Sequence, residues 1–369
     1  MNPAIYKQPL VIFLGAGASV PLGMKTTAEF YRWLSNQKGI DWKLLDQISS
    51  HIEPSEEIGK APDVEALLDF LETFIESARF LGKFGALDDA KRTIVEQREK
   101  STGVKQFLTP PPEEEIVRDL DEVVTLHDHV KDLVVTHYSE IDENKAFELY
   151  QPLLKRFPPF TLPVFTTNYD LAIEKAFEHP EAQFRLIDGF EREKRTTPEW
   201  SGHSYRAYKP PEKGRDVILF KLHGSVDWHL TPAGSIQRVE TKERNPGQMK
   251  TILVYPSRQK WEIHDEPFRR SYDYLFACLA HAQTCMIVGF SFRDQEIVEQ
   301  LRAAIGINKD LVLWIVDPNV ASIIEHLTKK LGFKPHVYPI EKEFCREVIE
   351  RELPMLPKET LPKKAKEKI

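Results

Sequence analysis

The stretch that decides the fold is LVIFLGAGAS, residues 10–19. Five consecutive apolar residues are typical of a strand that is buried on both faces, as in a parallel sheet covered by helices. Gly15 and Gly17 follow at once, and they favour a tight turn over the longer apolar segment of a signal peptide. The stretch therefore predicts a buried strand that ends in a glycine turn.

Four further short apolar runs repeat this pattern along the chain. They span residues 163–166, 216–222, 284–288 and 311–316. Helical patterns follow two of these runs, over residues 171–177 and 294–304. Alternation of buried strands with helices predicts an α/β fold with a Rossmann-like, doubly wound parallel sheet.

A helical insertion is predicted after the first strand. Apolar residues recur at helical spacing over residues 64–78, with Asp63 as a candidate N-cap, and residues 113–150 also have a helical pattern. Three consecutive prolines end the stretch 101–112, which indicates a loop between helices. We therefore expect a mainly helical insertion over residues 31–150.

The rest of the chain is assigned to the core and a tail. Residues 1–30 and 151–350 are predicted to form one discontinuous core domain. Its charged, proline-rich stretches at 183–215 and 230–250 are expected to be irregular. Residues 351–369 are expected to form a basic, solvated tail.

Composition excludes several classes of protein. The chain has 369 residues, of which 41% are hydrophobic and 29% charged, so it is neither disordered nor fibrous. A net charge of -7 argues against a general nucleic-acid binder. No apolar stretch approaches the roughly 20 residues of a membrane helix. We expect a cytoplasmic protein with no direct nucleic-acid or membrane partner.

The cysteines support this expectation. Cys278, Cys285 and Cys345 contain no Cys-x-x-Cys pair, which argues against a disulfide framework and against a four-cysteine zinc module. Three reduced thiols are typical of a cytosolic protein. The sequence therefore predicts no metal and no zinc.

Polar segments follow the predicted strands, where ligands bind in open α/β sheets. Asn168 both donates and accepts hydrogen bonds, so it is a candidate for orienting a water or a ribose hydroxyl. His223 is a candidate general base because its pKa lies near neutrality. Asp170 is either a site residue or a cap of the helix that follows it.

The glycine turn has two interpretations. Its glycines allow backbone amides to approach a phosphate, and Ser19 is a candidate cap of a following helix whose N-terminus would attract an anion. The alternative is a tight turn between a strand and a helix. The spacing is neither Gly-x-Gly-x-x-Gly, because the third glycine is Gly23, nor a Walker A loop.

Taken in order, these segments resemble the signature of the sirtuin superfamily, in particular its bacterial branch found in anti-phage defence. That signature reads Gly-Ala-Gly-x-Ser, Thr-x-Asn-x-Asp, His-Gly, Gly-x-Ser and a late Asn. The matching residues are Gly15, Ala16, Gly17, Ser19, Thr166, Asn168, Asp170, His223, Gly224, Gly289, Ser291 and Asn319.

The resemblance implies NAD as the bound substrate. Asn168 would position the nicotinamide ribose and a water, Asp170 would hold the carboxamide, and His223 would face the ribose hydroxyls as the base. The pyrophosphate would be held by Gly15, Ala16, Gly17, Ser19 and Gly23. Thr167, next to Asn168, is also implied to bind NAD. The adenosine half would be held by Gly289, Ser291, Asp317 and Asn319.

Departures from the signature bear on which group accepts the ADP-ribosyl group from NAD. Thr26, Thr27 and Ala28 stand where deacetylase sirtuins have Asp, Phe and Arg, Thr167 replaces their usual Gln, and the zinc cysteines are lacking. These differences favour water over an acyl-lysine as the acceptor, and hence an NAD glycohydrolase. An NAD-dependent deacylase or ADP-ribosyltransferase, and a non-catalytic NAD-binding assembly module, stay open as alternatives.

The resemblance also implies a role. It indicates an effector that depletes NAD in abortive infection and that is kept inactive until then. It implies a homo-oligomer and a separately encoded partner, such as a HerA-type ATPase or an Argonaute-type protein. The residues themselves do not choose between these partners.

Overall fold

The computed structural model describes residues 1–49, 63–83, 113–157, 161–191, 197–211, 215–240, 250–254 and 265–354. The predicted loop at 101–112 and most of the predicted tail lie outside these residues. The chain divides into two compact units, one formed by Met1–Thr26 with Val135–Ile369 and the other by Thr27–Val134.

The first unit contains all the strands found in the described residues. In chain order they are β1 (Leu10–Leu14), β2 (Thr161–Thr166), β3 (Phe184–Ile187), β4 (Phe190–Glu191), β5 (Glu199–Trp200), β6 (Arg215–Lys221), β7 (Gly224–Leu230), β8 (Ile236–Arg238), β9 (Lys250–Leu253), β10 (Thr284–Val288), β11 (Val312–Val316) and β12 (His336–Ile340).

Seven strands form one parallel sheet in the order β12-β11-β10-β1-β2-β6-β3. Apart from the edge strand β3, this is the Rossmann order, with successive strands added first on one side of β1 and then on the other. The predicted doubly wound α/β fold is confirmed. The strand order reverses between β1 and β10, and ligands bind in the crevice at such a switch point.

The predicted core strands agree closely with the structure. β1 and β10 begin and end at the predicted residues, and every residue in both is buried. β2 begins two residues earlier than predicted, β6 lies one residue earlier, and β11 begins one residue later. Continuous apolar runs are thus a reliable mark of strands that are covered on both faces.

The expectation of irregular structure at 183–215 and 230–250 is wrong for the described residues. β3, β4 and β5 lie in the first stretch and β8 in the second. β4, β5, β8, β7 and β9 form an antiparallel sheet in that order. These strands were missed because several have only two to four residues and half-exposed side chains, which leave no apolar run to recognise.

The helices are α1 (Pro3–Tyr6), α2 (Thr27–Leu34), α3 (Trp42–Ser49), α4 (Val64–Lys83), α5 (Glu113–Ser139), α6 (Glu143–Arg156), α7 (Ala172–Glu178), α8 (His203–Arg206), α9 (Phe268–His281), α10 (Gln295–Ile307) and α11 (Val320–Leu331). A π-helical turn, Val348–Glu352, follows the last strand. Within the described ranges, no helix is both long enough and apolar enough to span a bilayer.

Caps explain two helix boundaries. The Oδ1 atom of Asp63 accepts the Ala66 N–H at 2.8 Å at the start of α4, so the predicted N-cap is confirmed. The helical pattern over 113–150 is divided into α5 and α6, because Asp142 caps a new helix through the Lys145 N–H at 3.0 Å. α6 lies in the unit that carries the sheet.

Candidate functional site

The five segments that match the signature lie side by side at one edge of the parallel sheet. They are residues 15–19, 167–170, 223–225, 289–294 and 317–319, and we call them the polar segments. Each follows the carboxyl end of a strand, and β6, β2, β1, β10 and β11 are consecutive neighbours. Parallel strands bring all their carboxyl ends to the same edge, so the sheet collects segments that are far apart in sequence.

Two glycine loops meet at the switch point. The Gly17 N–H donates to the Gly289 carbonyl at 3.0 Å. A Cβ on Gly289 would lie 2.4 Å from the Gly17 Cα, and one on Gly15 would lie 2.5 Å from the Gly289 oxygen. Gly289 also has a φ of +57°, which favours glycine. Packing of the two loops therefore accounts for these glycines, and their contact with a phosphate stays a prediction.

The predicted cap at Ser19 is wrong. The chain continues from the glycine turn as two short 3₁₀ turns, Ala16–Ala18 and Val20–Leu22, and the Ser19 side chain caps neither. Pro21 and Gly23 confine the second turn, since proline fixes φ and Gly23 adopts a φ of +87°. The first α-helix after the loop, α2, begins only at Thr27. No α-helix N-terminus therefore follows this turn directly.

Asn168 is tied to the glycine turn instead. Its Nδ2 donates to the Gly15 carbonyl at 2.9 Å and to the Ser19 Oγ at 3.1 Å, and its own N–H donates to the Thr166 Oγ1 at 3.0 Å. Both amide donors are thus used within the protein, and the remaining group of this half-buried side chain is the acceptor Oδ1. Asn168 is oriented to accept a hydrogen bond from a ligand or a water.

Asp170 has a structural partner. Its Oδ1 accepts the N–H of Ala172, the first residue of α7, at 2.9 Å, although the N-cap position itself is Leu171. The side chain is buried. The half-buried Thr167, next to Asn168, donates its N–H to the Leu14 carbonyl at 3.3 Å. Contact of Asp170 or Thr167 with NAD stays a prediction.

His223 is paired with Asp294, a residue that the sequence did not select. The Nε2 atom of His223 lies 2.8 Å from the Asp294 Oδ2, and only 3% and 4% of the two side chains are exposed. β6 and β10 are three strand spacings apart in the sheet, about 14 Å. The pair therefore bridges the crevice. Its only sequence signal is an acidic residue at the start of a predicted helix, which is usually just a cap.

The other predicted residues lie around this centre. Gly23 ends the second 3₁₀ turn, and Ser291 is half-buried in the loop between Gly289 and Asp294. The Asp317 Oδ1 accepts the Asn319 N–H at 2.7 Å, and burial raises the pKa of Asp317. Asp317 and Asn319 follow β11, one strand further from the switch point.

A cluster of buried charged side chains lies at the carboxyl end of β6, just before His223 in the chain. Lys221 Nζ and Glu174 Oε1 are 3.0 Å apart, with side chains 2% and 3% exposed. Lys221 also donates to the Asp170 carbonyl. Arg238 donates to Asp227 at 2.8 Å, and both belong to the antiparallel sheet. Burial raises the pKa of Glu174, and the positive charge of Lys221 opposes this rise.

The end of α5 holds the segment after Gly23. The Lys25 N–H donates to the His137 Nε2 at 3.2 Å, and the Tyr138 hydroxyl donates to the Lys25 carbonyl at 2.8 Å. Burial, and then the charge of Lys25, lower the pKa of His137 to about 4. His137 is therefore neutral at pH 7 and accepts through Nε2.

This pairing predicts a pH-dependent stability. The folded pKa of about 4 lies below the usual histidine pKa of 6.5, so the unfolded chain binds the proton more tightly. His137 therefore stabilises the fold above pH 6.5, and this contribution is lost as the pH falls from 6.5 towards 4. Urea unfolding of the wild type and of His137→Gln at several pH values measures this. The free-energy difference between the two should shrink on acidification, and a constant difference would contradict the assignment.

The described residues contain no group of three or more His, Cys, Asp or Glu side chains placed to hold a metal ion. Cys278 and Cys285 are buried, and burial raises the pKa of both thiols. At neutral pH they are therefore protonated. The absence of zinc stays a prediction.

Part of the chain is similar to a known protein family. Residues 163–340 match the family model of the SIR2-like domain. This segment contains four of the five polar segments, and the structure brings the fifth, at residues 15–19, against two of them through Asn168 and Gly289. No curated protein matches the sequence significantly.

Solved structures of Sir2 homologues also align with the chain, at low similarity. A Sir2 homologue in complex with NAD is 13% identical, and the alignment covers 92% of this chain and 86% of that chain with a TM-score of 0.41. A mutant Sir2 homologue in complex with 2'-O-acetyl ADP-ribose is 12% identical, with 92% and 88% covered and a TM-score of 0.41.

Proposed function

We propose that this chain binds NAD at the switch-point crevice and hydrolyses it to nicotinamide and ADP-ribose. The observation that carries the proposal is Asn168, whose amide donors are held by Gly15 and Ser19 so that its Oδ1 acceptor is left for a ligand or a water. The similarity of residues 163–340 to the SIR2-like domain supports NAD as the substrate.

The reaction needs few groups. The bond between the ribose C1' and the nicotinamide nitrogen breaks, the oxygen of a water adds to C1', and one proton is released. Asn168 Oδ1 accepts a hydrogen bond from this water, which orients it. His223 accepts a hydrogen bond from a ribose hydroxyl and stabilises the positive charge that develops on the sugar.

The first loop fits an anionic substrate. Residues 15–23 carry no acidic side chain, so nothing in this segment repels a pyrophosphate. The loop packs on the glycine at 289 without any side chain between them. We propose that backbone groups of these two loops hold the pyrophosphate, and that Asp317 and Asn319 contact the adenosine ribose.

Incubation of the purified chain with NAD, followed by chromatography, tests the proposal. We expect nicotinamide and ADP-ribose in equal amounts without any acyl-lysine peptide. Carba-NAD, in which a methylene replaces the ribose ring oxygen, cannot share the developing charge and should give no product. Nicotinamide release that requires an acyl-lysine peptide would instead support a deacylase, and NAD binding without product would contradict the hydrolase.

The cellular role is a second step of the same proposal. Unrestrained hydrolysis would deplete NAD in the host, so we propose a cytoplasmic anti-phage effector that is kept inactive until infection. NAD in infected cells that carry the wild type should fall, whereas cells with a catalytically inactive variant should keep it. Equal NAD concentrations in both would contradict this role.

A further inference from the structure

We propose that Asp294 is the positioning residue for His223, and that it holds the imidazole with its proton on Nε2 and its lone pair on Nδ1. The catalytic consequence of this assignment rests on the proposed NAD hydrolysis. The protonation pattern itself is a property of the free protein and can be tested without NAD.

The geometry of the pair fixes the direction of the hydrogen bond. His223 Nε2 and Asp294 Oδ2 are 2.8 Å apart and both side chains are buried. An ionised carboxylate only accepts hydrogen bonds, so Nε2 must carry the hydrogen. A neutral imidazole then has its lone pair on Nδ1, and this nitrogen is the base.

Asp294 is itself rigidly held. Its other oxygen, Oδ1, accepts the N–H groups of Glu296 at 3.0 Å and Ile297 at 3.4 Å in the first turn of α10. α10 has 13 residues, and the positive end of its dipole favours the charged carboxylate. One oxygen therefore caps the helix while the other orients the histidine.

The loop before Asp294 is shaped for this contact. Phe292 has a φ of +57°, which is strained for a bulky residue, and such strain is typical of functional sites. The Phe292 side chain is buried, and its ring packs edge-on against Phe290 with centroids 5.1 Å apart. Packing thus maintains the strained turn that leads the chain to Asp294.

Two aromatic side chains also lie near the pair of His223 and Asp294. The ring of Tyr169 lies 6.4 Å from the imidazole. Burial raises the pKa of Tyr272 on α9, and the negative charges of Asp294 and Glu296 raise it further. This phenol is therefore neutral at pH 7. The Asp294 carboxylate contacts the ring directly, through the hydrogen bond to Nε2.

The variant Asp294→Asn tests the assignment. Asparagine preserves the helix cap, but its Nδ2 donates to His223 Nε2 and so moves the ring proton to Nδ1. NMR of the free, ¹⁵N-histidine-labelled chain should show protonated Nε2 in the wild type and protonated Nδ1 in the variant, with a lower pKa of His223. NAD hydrolysis should lose about 100-fold in kcat with little change in KM.

Two controls separate positioning from capping. Asp294→Ser keeps a capping oxygen and removes the carboxylate, so it should also lower the pKa of His223. Asp142→Asn changes an equivalent N-cap on α6 and should leave His223 and kcat unchanged. Identical His223 spectra in wild type and Asp294→Asn, or an unchanged kcat despite a moved proton, would overturn the inference. The expected spectra without NAD turnover would support it and overturn the proposed hydrolysis.

Discussion

Replacing Asn168 by alanine is expected to lower the rate of NAD hydrolysis by about a thousandfold. The substitution removes the acceptor that we propose orients the attacking water. It also removes two hydrogen bonds between the segment after β2 and the glycine turn. Loss of a positioned group costs several kcal/mol in the transition state, because water must then be ordered during the reaction itself. The change should appear in kcat, measured by nicotinamide release under saturating NAD.

Asn308 offers a matched control for this variant. Its Nδ2 also donates two hydrogen bonds, to the carbonyls of Leu279 at 3.0 Å and Ala282 at 2.6 Å, but Asn308 lies after α10, before β11 begins. Asn308→Ala should cost similar stability, about 1–2 kcal/mol, and leave kcat within twofold. An Asn168→Ala protein with wild-type kcat would remove Asn168 from the catalytic machinery.

Replacing Lys221 by methionine is expected to lower the free energy of unfolding by about 3–5 kcal/mol. Lys221 and Glu174 are both almost fully buried and 3.0 Å apart. Without the lysine, the Glu174 carboxylate is left buried among other acidic groups, since Asp227 already raises its pKa. Urea unfolding monitored by circular dichroism measures the loss.

A double-mutant cycle separates the pair from its surroundings. Adding Glu174→Gln to Lys221→Met removes the uncompensated charge, so the double variant should be more stable than Lys221→Met alone. Lys342 and Glu352 form an exposed pair at 3.0 Å, and Lys342→Met should leave the free energy of unfolding almost unchanged. A loss below about 1 kcal/mol for Lys221→Met would show that Lys221 does not compensate a buried charge.

The parallel sheet was predictable because its central strands are apolar on both faces. The run of residues 10–14 has only one plausible structure once Gly15 follows it. β12 escaped prediction because it is an edge strand with exposed residues such as His336 and Tyr338. Its pairing with β11 depends on a neighbour that the local pattern does not reveal.

The sequence predicts that the candidate site lies at one edge of the sheet, but it does not predict which side chains contact each other there. Parallel topology alone brings Asn168 and His223 to the same end of the sheet. The partner of His223 lies 71 residues further along the chain, and an acidic residue before a helix is usually only a cap. The prediction that Ser19 caps a helix was wrong because its side chain accepts a long-range hydrogen bond from Asn168.

The position of β1 in the sheet also affects folding during translation. β1 is synthesised before its two neighbours in the sheet, which begin only at Thr161 and Thr284. At roughly 5–20 residues per second, tens of seconds pass before the second neighbour emerges. Until then an apolar strand has unpaired edges, which is the kind of segment that chaperones bind and that aggregates in their absence. Assembly at the centre of the sheet is therefore a late event in translation.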